Sequence, residues 1–152
     1  MNCYLFDIDD TLHKWINKKD MYNIDYDEEL HKLIINTNAI NYVYTNATYG
    51  HANMILNKYN IHRQFQKIYS RDNLPSSKPD DNSAKIVEKD IKQNNIQKIF
   101  FFDDLLENLY TGKKNKWITI WISDNYQLKN NYNFVDYAFP DIKTSLHYFN
   151  NK

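Results

Sequence analysis

Three aspartates, Asp7, Asp9 and Asp10, follow a short apolar run from Asn2 to Phe6, and Thr11 comes directly after them. A second acidic pair, Asp103 and Asp104, ends the apolar run Ile99 to Phe102. Thr45 and Asn46 end a third run, Ile40 to Tyr44, and Lys78 stands between them and Asp103 in the chain. Acids, hydroxyls and one lysine that converge are equipped for phosphoryl transfer. A carboxylate can attack or move a proton, while the cation and the hydroxyls balance charge on the transferring group. Carboxylates from adjacent strands, about 5 Å apart, would repel one another and rise in pKa. Mg²⁺ resolves that conflict, because it takes oxygen ligands and also offsets the charge of an approaching phosphate.

Those residues can meet only if the chain folds so that its strand ends share one rim. Strands are expected at Asn2–Phe6, Ile40–Tyr44, Phe65–Tyr69, Ile99–Phe102, Trp117–Ile122 and Val135–Phe139. Several are apolar on both faces, as in a sheet covered on both sides. Between them, Ala52, Ile55, Leu56 and Tyr59 follow the spacing of one buried helical face. Ala84, Val87 and Ile91 mark another helix, with Pro79 expected at its first position and Asp80 and Asp81 in its first turn. Leu105, Leu106 and Leu109 mark a short helix that Gly112 is expected to stop. Strands alternating with helices give an α/β fold with a mainly parallel sheet. Ligands then bind beyond the carboxyl ends of the strands, where the polar groups above fall. Residues 13–30, with His13, Trp15, Ile16 and the Lys18-Lys19 pair, read as a flap leading into a helix near Leu30, Leu33 and Ile34.

The chain has 152 residues, room for one domain with a hydrophobic core, and no internal repeat or linker. Lysine plus arginine and aspartate plus glutamate are equal at 19, so no bulk charge draws it to nucleic acid. No apolar run reaches the ~20 residues of a membrane span, and Asp7, Asp9 and Asp10 interrupt the place of a signal peptide's apolar region. Cys3 is the only cysteine, which points to a core residue in a reducing compartment, the cytoplasm. Heavy use of Asn, Lys, Ile and Tyr reads as an AT-rich genome, and a viral source would make that compartment the host cytoplasm.

The four groups also resemble a known set of motifs. Phe6-Asp7-Ile8-Asp9-Asp10-Thr11-Leu12 is similar to the first motif of the haloacid dehalogenase-like (HAD) phosphatases. Tyr42 to Ala47, Ser77-Lys78-Pro79 and Phe101 to Asp104 resemble the second, third and fourth, in the same order and across nearly the whole chain. The resemblance implies a three-layer Rossmann-like fold and a Mg²⁺-dependent phosphatase. Asp7 would be the nucleophile, Asp9 the acid and base, and Lys78 the charge-stabilising cation. Thr45 and Asn46 would hold the phosphate, with Thr11, His51 and Asn108 as further site residues. Asp7, the Asp9 carbonyl and Asp104 would bind the metal, with Asp103 bound directly or through water. Thr45 to Ile61, including His51, looks most like pyrimidine 5′-nucleotidase-type members, which implies a small phosphorylated substrate such as a nucleoside 5′-monophosphate. Those relatives carry a substantial helical cap between the first two motifs, where this chain has about one helix and a flap. An open cleft follows, or a cap supplied by a second copy.

Each motif taken singly has a plainer account. Aspartates are common in strand-to-loop turns, Asp103-Asp104 and Thr45-Asn46 can cap helices, and a lysine before proline can be a surface residue. His51 could contact substrate or face solvent, and Asn108 could support the acidic loop or be exposed. An open cleft could instead admit a phosphoprotein or a nucleic-acid end. A phosphoacceptor receiver domain uses similar groups, but its acid pair follows the first strand and its acceptor the third.

Overall fold

β1 (Asn2–Phe6) lies inside a sheet because both of its faces are apolar. Tyr4 and Phe6 pack on one side, Cys3 and Leu5 on the other, and all four are buried. The computed structural model describes residues 1–16 and 23–152. The other strands are β2 (Ile40–Tyr44), β3 (Phe65–Tyr69), β4 (Lys98–Asp103), β5 (Ile118–Ile122) and β6 (Tyr137–Phe139). Among the described residues they form one six-stranded sheet in the order β3-β2-β1-β4-β5-β6, with every pairing parallel. Helices α1 (Glu28–Ile35), α2 (Tyr49–Lys58) and α5 (Ile142–Asn150) cover the Tyr4 and Phe6 face. Helices α3 (Asp81–Lys92) and α4 (Leu106–Lys114) cover the other. The result is the expected three-layer Rossmann-like α/β fold. No described helix is long and apolar enough to cross a membrane.

The order of strands creates a crevice. From β1 the chain steps outward to β2 and β3, then returns through α3 to β4 on the other side of β1. The direction of winding therefore reverses between β1 and β4, the place where loops diverge and a ligand can enter. Phe6 pairs with Phe102, and the Asp7 amide donates to the Phe102 carbonyl at 2.9 Å. Asp7 and Asp103 thus leave the sheet side by side.

Some local expectations need correction. Pro79 lies outside α3, after a cis Lys78–Pro79 peptide bond. Asp80 is the N-cap, its side chain accepting from the Asn82 amide at 2.9 Å, so the helix begins at Asp81, two residues after Pro79. Gly112 does not stop α4; it lies inside it, and the turn falls at Lys116, with φ of 64°. A Cβ at Gly112 would sit 2.9 Å from Phe101 Cδ2 and 3.1 Å from Trp117 Cε3, so glycine lets α4 approach the sheet. Gly112→Ala is accordingly expected to cost about 1–3 kcal/mol of stability, as overpacked cores do, measurable by denaturant unfolding. The last strand starts at Tyr137, not Val135, because Asp136 turns to accept from the Thr119 amide at 2.9 Å. Trp117 is buried but precedes β5. Lys113 lies in α4 and pairs with Asp136 at 2.7 Å. Helix α5 was not expected; Asp141 caps it, accepting from the Thr144 amide.

The flap at 13–30 is described in part. Residues 13–16 and 23–27 carry neither helix nor extended strand, and α1 begins at Glu28 with Asp27 as its cap. The stretch 17–22, including the Lys18-Lys19 pair, lies outside the described residues.

Candidate active site

Asp7 sits at the mouth of the crevice with its carboxylate almost wholly enclosed. One oxygen accepts from Lys78 Nζ at 3.0 Å, the other from the Thr11 hydroxyl at 3.1 Å. Lys78 Nζ also donates to Asp103 Oδ2 and to the Tyr44 carbonyl, both at 2.8 Å, and lies over the Tyr44 ring. Lys78 therefore spends its ammonium protons on three oxygens from β1, β2 and β4. Burial disfavours its charge, but Asp103 and Asp7 outweigh burial and hold the lysine protonated, with its pKa raised. Asn46 fixes the segment that carries Lys78: its side chain accepts from the Lys78 amide at 2.7 Å and donates to the Lys78 carbonyl at 3.2 Å.

Asp103 is buried among donors. Asn108, also buried, places its amide nitrogen 3.2 Å from both Asp103 oxygens, and the Leu105 amide donates at 2.9 Å. Of the two places expected for Asn108, support of the acidic loop or exposure, it takes the first, buried against the Asp103 carboxylate. Thr11 reaches Asp104 Oδ1 at 3.3 Å, so it links the first motif to the fourth.

Oxygens of Asp7, Asp103 and Asp104 lie within 4.8 Å of one another. Burial, with Asp103 and then Asp104 adding repulsion, pushes the Asp7 carboxyl well above the ordinary range despite Lys78. Burial also pushes Asp104 up to about 6. Three oxygens this close, two of them reluctant to ionise, fit a divalent cation with a preference for oxygen. The Asp9 side chain is not part of this trio, so any contribution of Asp9 to a metal would come from its backbone carbonyl.

The pH dependence follows. A carboxyl whose folded pKa is about 6, against roughly 3.9 unfolded, holds its proton better in the folded state. That contribution is complete at low pH and is lost as pH rises through this window. Without metal, Asp104→Asn should therefore gain melting temperature relative to wild type between pH 4 and 7. Mg²⁺ should reverse the gap at pH 7 by stabilising the wild type alone.

The remaining polar residues lie on the β2 side. Asp9 is two residues beyond Asp7, with its side chain 37% exposed. Its Oδ1 lies 2.9 Å from His51 Nε2 and accepts from the Trp15 indole at 2.8 Å. His51, read as a substrate contact or a bystander, is set against Asp9. Thr45 is buried at the end of β2, where its hydroxyl oxygen accepts from the Ala47 amide at 3.0 Å. Trp15, Tyr44 and the Asn46 side chain are parts of the site that sequence reasoning missed. A cavity of about 540 Å³ adjoins the acidic trio through Thr11 and Asp104 and is floored by Leu12, Ile122 and Ile142. Cys3 is fully buried, and burial pushes its thiol up, so it offers no nucleophile.

No protein-family model and no curated protein matches the sequence. Solved structures do match. A HAD-hydrolase of Bacillus subtilis bound to magnesium superposes with a TM-score of 0.72 at 15% identity, over 98% of each chain. A HAD-like family hydrolase of Streptococcus pneumoniae gives 0.68 at 13% identity, again over 98% of each chain. A predicted phosphoglycolate phosphatase from Haemophilus somnus gives 0.66 at 16%, over 86% of this chain and 60% of that one. With its strand order, its switch point and its acidic rim, the chain has the fold of the haloacid dehalogenase-like hydrolases.

Proposed function

We propose that the chain is a divalent-cation-dependent phosphomonoesterase of the HAD-like superfamily, using Asp7 as its nucleophile. The observation that carries this reading is the position of Asp7. One oxygen is held by Lys78 and the other by Thr11, and Asp103 and Asp104 lie within reach of one cation. Asp7, Asp104 and the Asp9 carbonyl, with Asp103 directly or through water, would hold Mg²⁺. When bound, the metal offsets negative charge that would otherwise keep a phosphate dianion from Asp7.

In the first half-reaction an Asp7 oxygen bonds to phosphorus and the bond to the leaving oxygen breaks, giving an aspartyl-phosphate. Asp9 gives its proton to the leaving oxygen. In the second, Asp9 takes a proton from water, which attacks phosphorus and frees Asp7. Thr45 donates its hydroxyl proton to a phosphate oxygen. The Asn46 backbone amide would add a second donor, while the Asn46 side chain keeps Lys78 in place. Lys78 balances charge on the transferring group, at no reorganisation cost because it is already fixed.

A small phosphorylated metabolite, with nucleoside 5′-monophosphates first among candidates, is the substrate class this reading assigns. The cavity beside Thr11 and Asp104 has a volume usual for small-molecule sites. A screen with Mg²⁺ over nucleoside monophosphates, sugar phosphates and a phosphopeptide tests the assignment. Hydrolysis of the small esters is expected, and turnover of the phosphopeptide alone would transfer the site to macromolecular substrates.

A further inference from the structure

The loop after β1 folds back on itself and brings Trp15 to Asp9. Asp10 takes a left-handed conformation, φ 61°, and its amide donates to the His13 carbonyl at 2.6 Å. The Trp15 amide in turn donates to Asp10 Oδ1 at 3.2 Å. The Trp15 indole N–H then points at Asp9 Oδ1, the same oxygen that His51 Nε2 approaches from α2.

Helix α2 holds this arrangement at two points. His51, in its first turn, lies nearly parallel to the Trp15 ring, with centroids 6.2 Å apart and an interplanar angle of 28°. Tyr59, its C-cap, meets His13 Nδ1 at 2.5 Å, and the His13 ring stands edge-on to Trp15 at 4.3 Å. The indole is therefore flanked by two imidazoles that α2 itself locates. Among the described residues, Asp9 Oδ2 accepts no hydrogen bond, so one oxygen is fixed and the other is free.

We infer that Trp15 is a positioning residue for Asp9: with His51 it immobilises Oδ1 and turns Oδ2 toward the leaving oxygen. The inference rests on the phosphatase reading and deepens it, since it concerns proton delivery at the same site. The physical reason is directional. A carboxylic acid on a free torsion delivers its proton from many orientations, most of them unproductive. An indole donor and a facing imidazole nitrogen on one oxygen remove that freedom before substrate arrives. Trp15 never touches the reacting atoms in this arrangement; it acts through Asp9.

The test is a comparison of leaving groups in Trp15→Phe, which keeps an aromatic ring and loses the indole donor. Values of kcat/KM report steps up to aspartyl-phosphate formation. For an alkyl phosphate, whose leaving oxygen needs a proton, kcat/KM should fall about tenfold. For p-nitrophenyl phosphate, which needs little help, it should fall less than threefold. Asp9→Asn should show the same selectivity, more strongly. Equal losses on both esters in Trp15→Phe, or no loss, would overturn the positioning role.

A second readout needs no activity. The three indole N–H signals belong to Trp15, Trp117 and Trp121, and the latter two donate to Glu88 and to the Asp104 carbonyl. In Asp9→Ala the Trp15 signal should shift and exchange faster with solvent while that of Trp117 stays. An unmoved Trp15 signal would overturn the clamp whatever the kinetics. A wild type inactive on every phosphate ester would overturn the phosphatase reading and the positioning role with it, and the indole signal would still show whether the contact exists.

Discussion

Asp7→Asn is expected to lower turnover at least about 10⁴-fold, the scale seen when a covalent nucleophile is removed. An amide in the same place cannot form the phosphorylated intermediate, and Thr45, Lys78 and Asp9 have nothing to assist. The same substitution should leave the metal-free protein no less stable than wild type. Burial and the Asp103 and Asp104 carboxylates push Asp7 well above its ordinary pKa, so its charge is a burden on the fold at neutral pH. Asparagine removes that charge and keeps the shape. Kinetics on the best substrate and thermal melting in chelator measure both halves. A mutant that is inactive because it is unfolded would not support the assignment, whereas a folded, inactive one does.

Lys78→Met should be the most destabilising single change at the site. Methionine keeps the length of the side chain and removes the ammonium that serves Asp7, Asp103 and the Tyr44 carbonyl. Two carboxylates then remain in a buried crevice without their cation. Breaking a buried pair in this way costs about 3–5 kcal/mol, which for a chain of this size is roughly 10 °C in melting temperature. Adding Asp103→Asn should recover part of that loss, because the two sites share one interaction. Turnover should fall about 10²–10³-fold as well, since the cation also balances charge on the transferring phosphate. Thermal melts of the single and double mutants, with and without Mg²⁺, separate the two roles of Lys78.

The sheet was legible because its central strands are apolar on both faces. β1, β2 and β3 have the expected boundaries, and the polar residues at the ends of β1 and β4 come together as the parallel topology requires. What could not be read was conformation that depends on distant partners. Pro79 is a plausible helix start by type, yet Asp80 captures the cap. Gly112 has the composition of a stop, and its real cause is the ring of Phe101, which only the packing discloses. Val135 is buried like a strand residue, but the pull of Thr119 on Asp136 delays β6. Helix α5 left a signal in Ile142, Leu146 and Phe149, spaced as one face. At the site, residue types announced Asp7, Lys78 and Asp103. The partnership of Trp15 with Asp9 needed the left-handed turn at Asp10, which nothing local in the sequence demands. Asn46 was expected to hold phosphate, while its side chain serves the Lys78 segment from 32 residues away.

The central claim is that Asp7 carries the phosphoryl group during turnover. Acid-quenching the enzyme with Mg²⁺ and its best substrate, then reducing with borohydride, converts an aspartyl-phosphate to homoserine at the position that bore it. Peptide mass spectrometry should find homoserine at residue 7 in wild type, more of it in Asp9→Asn on p-nitrophenyl phosphate, where formation needs little proton help and hydrolysis is slowed, and none in Asp7→Asn. Homoserine at another aspartate, phosphate on a histidine, or turnover that leaves residue 7 unmodified would contradict the account.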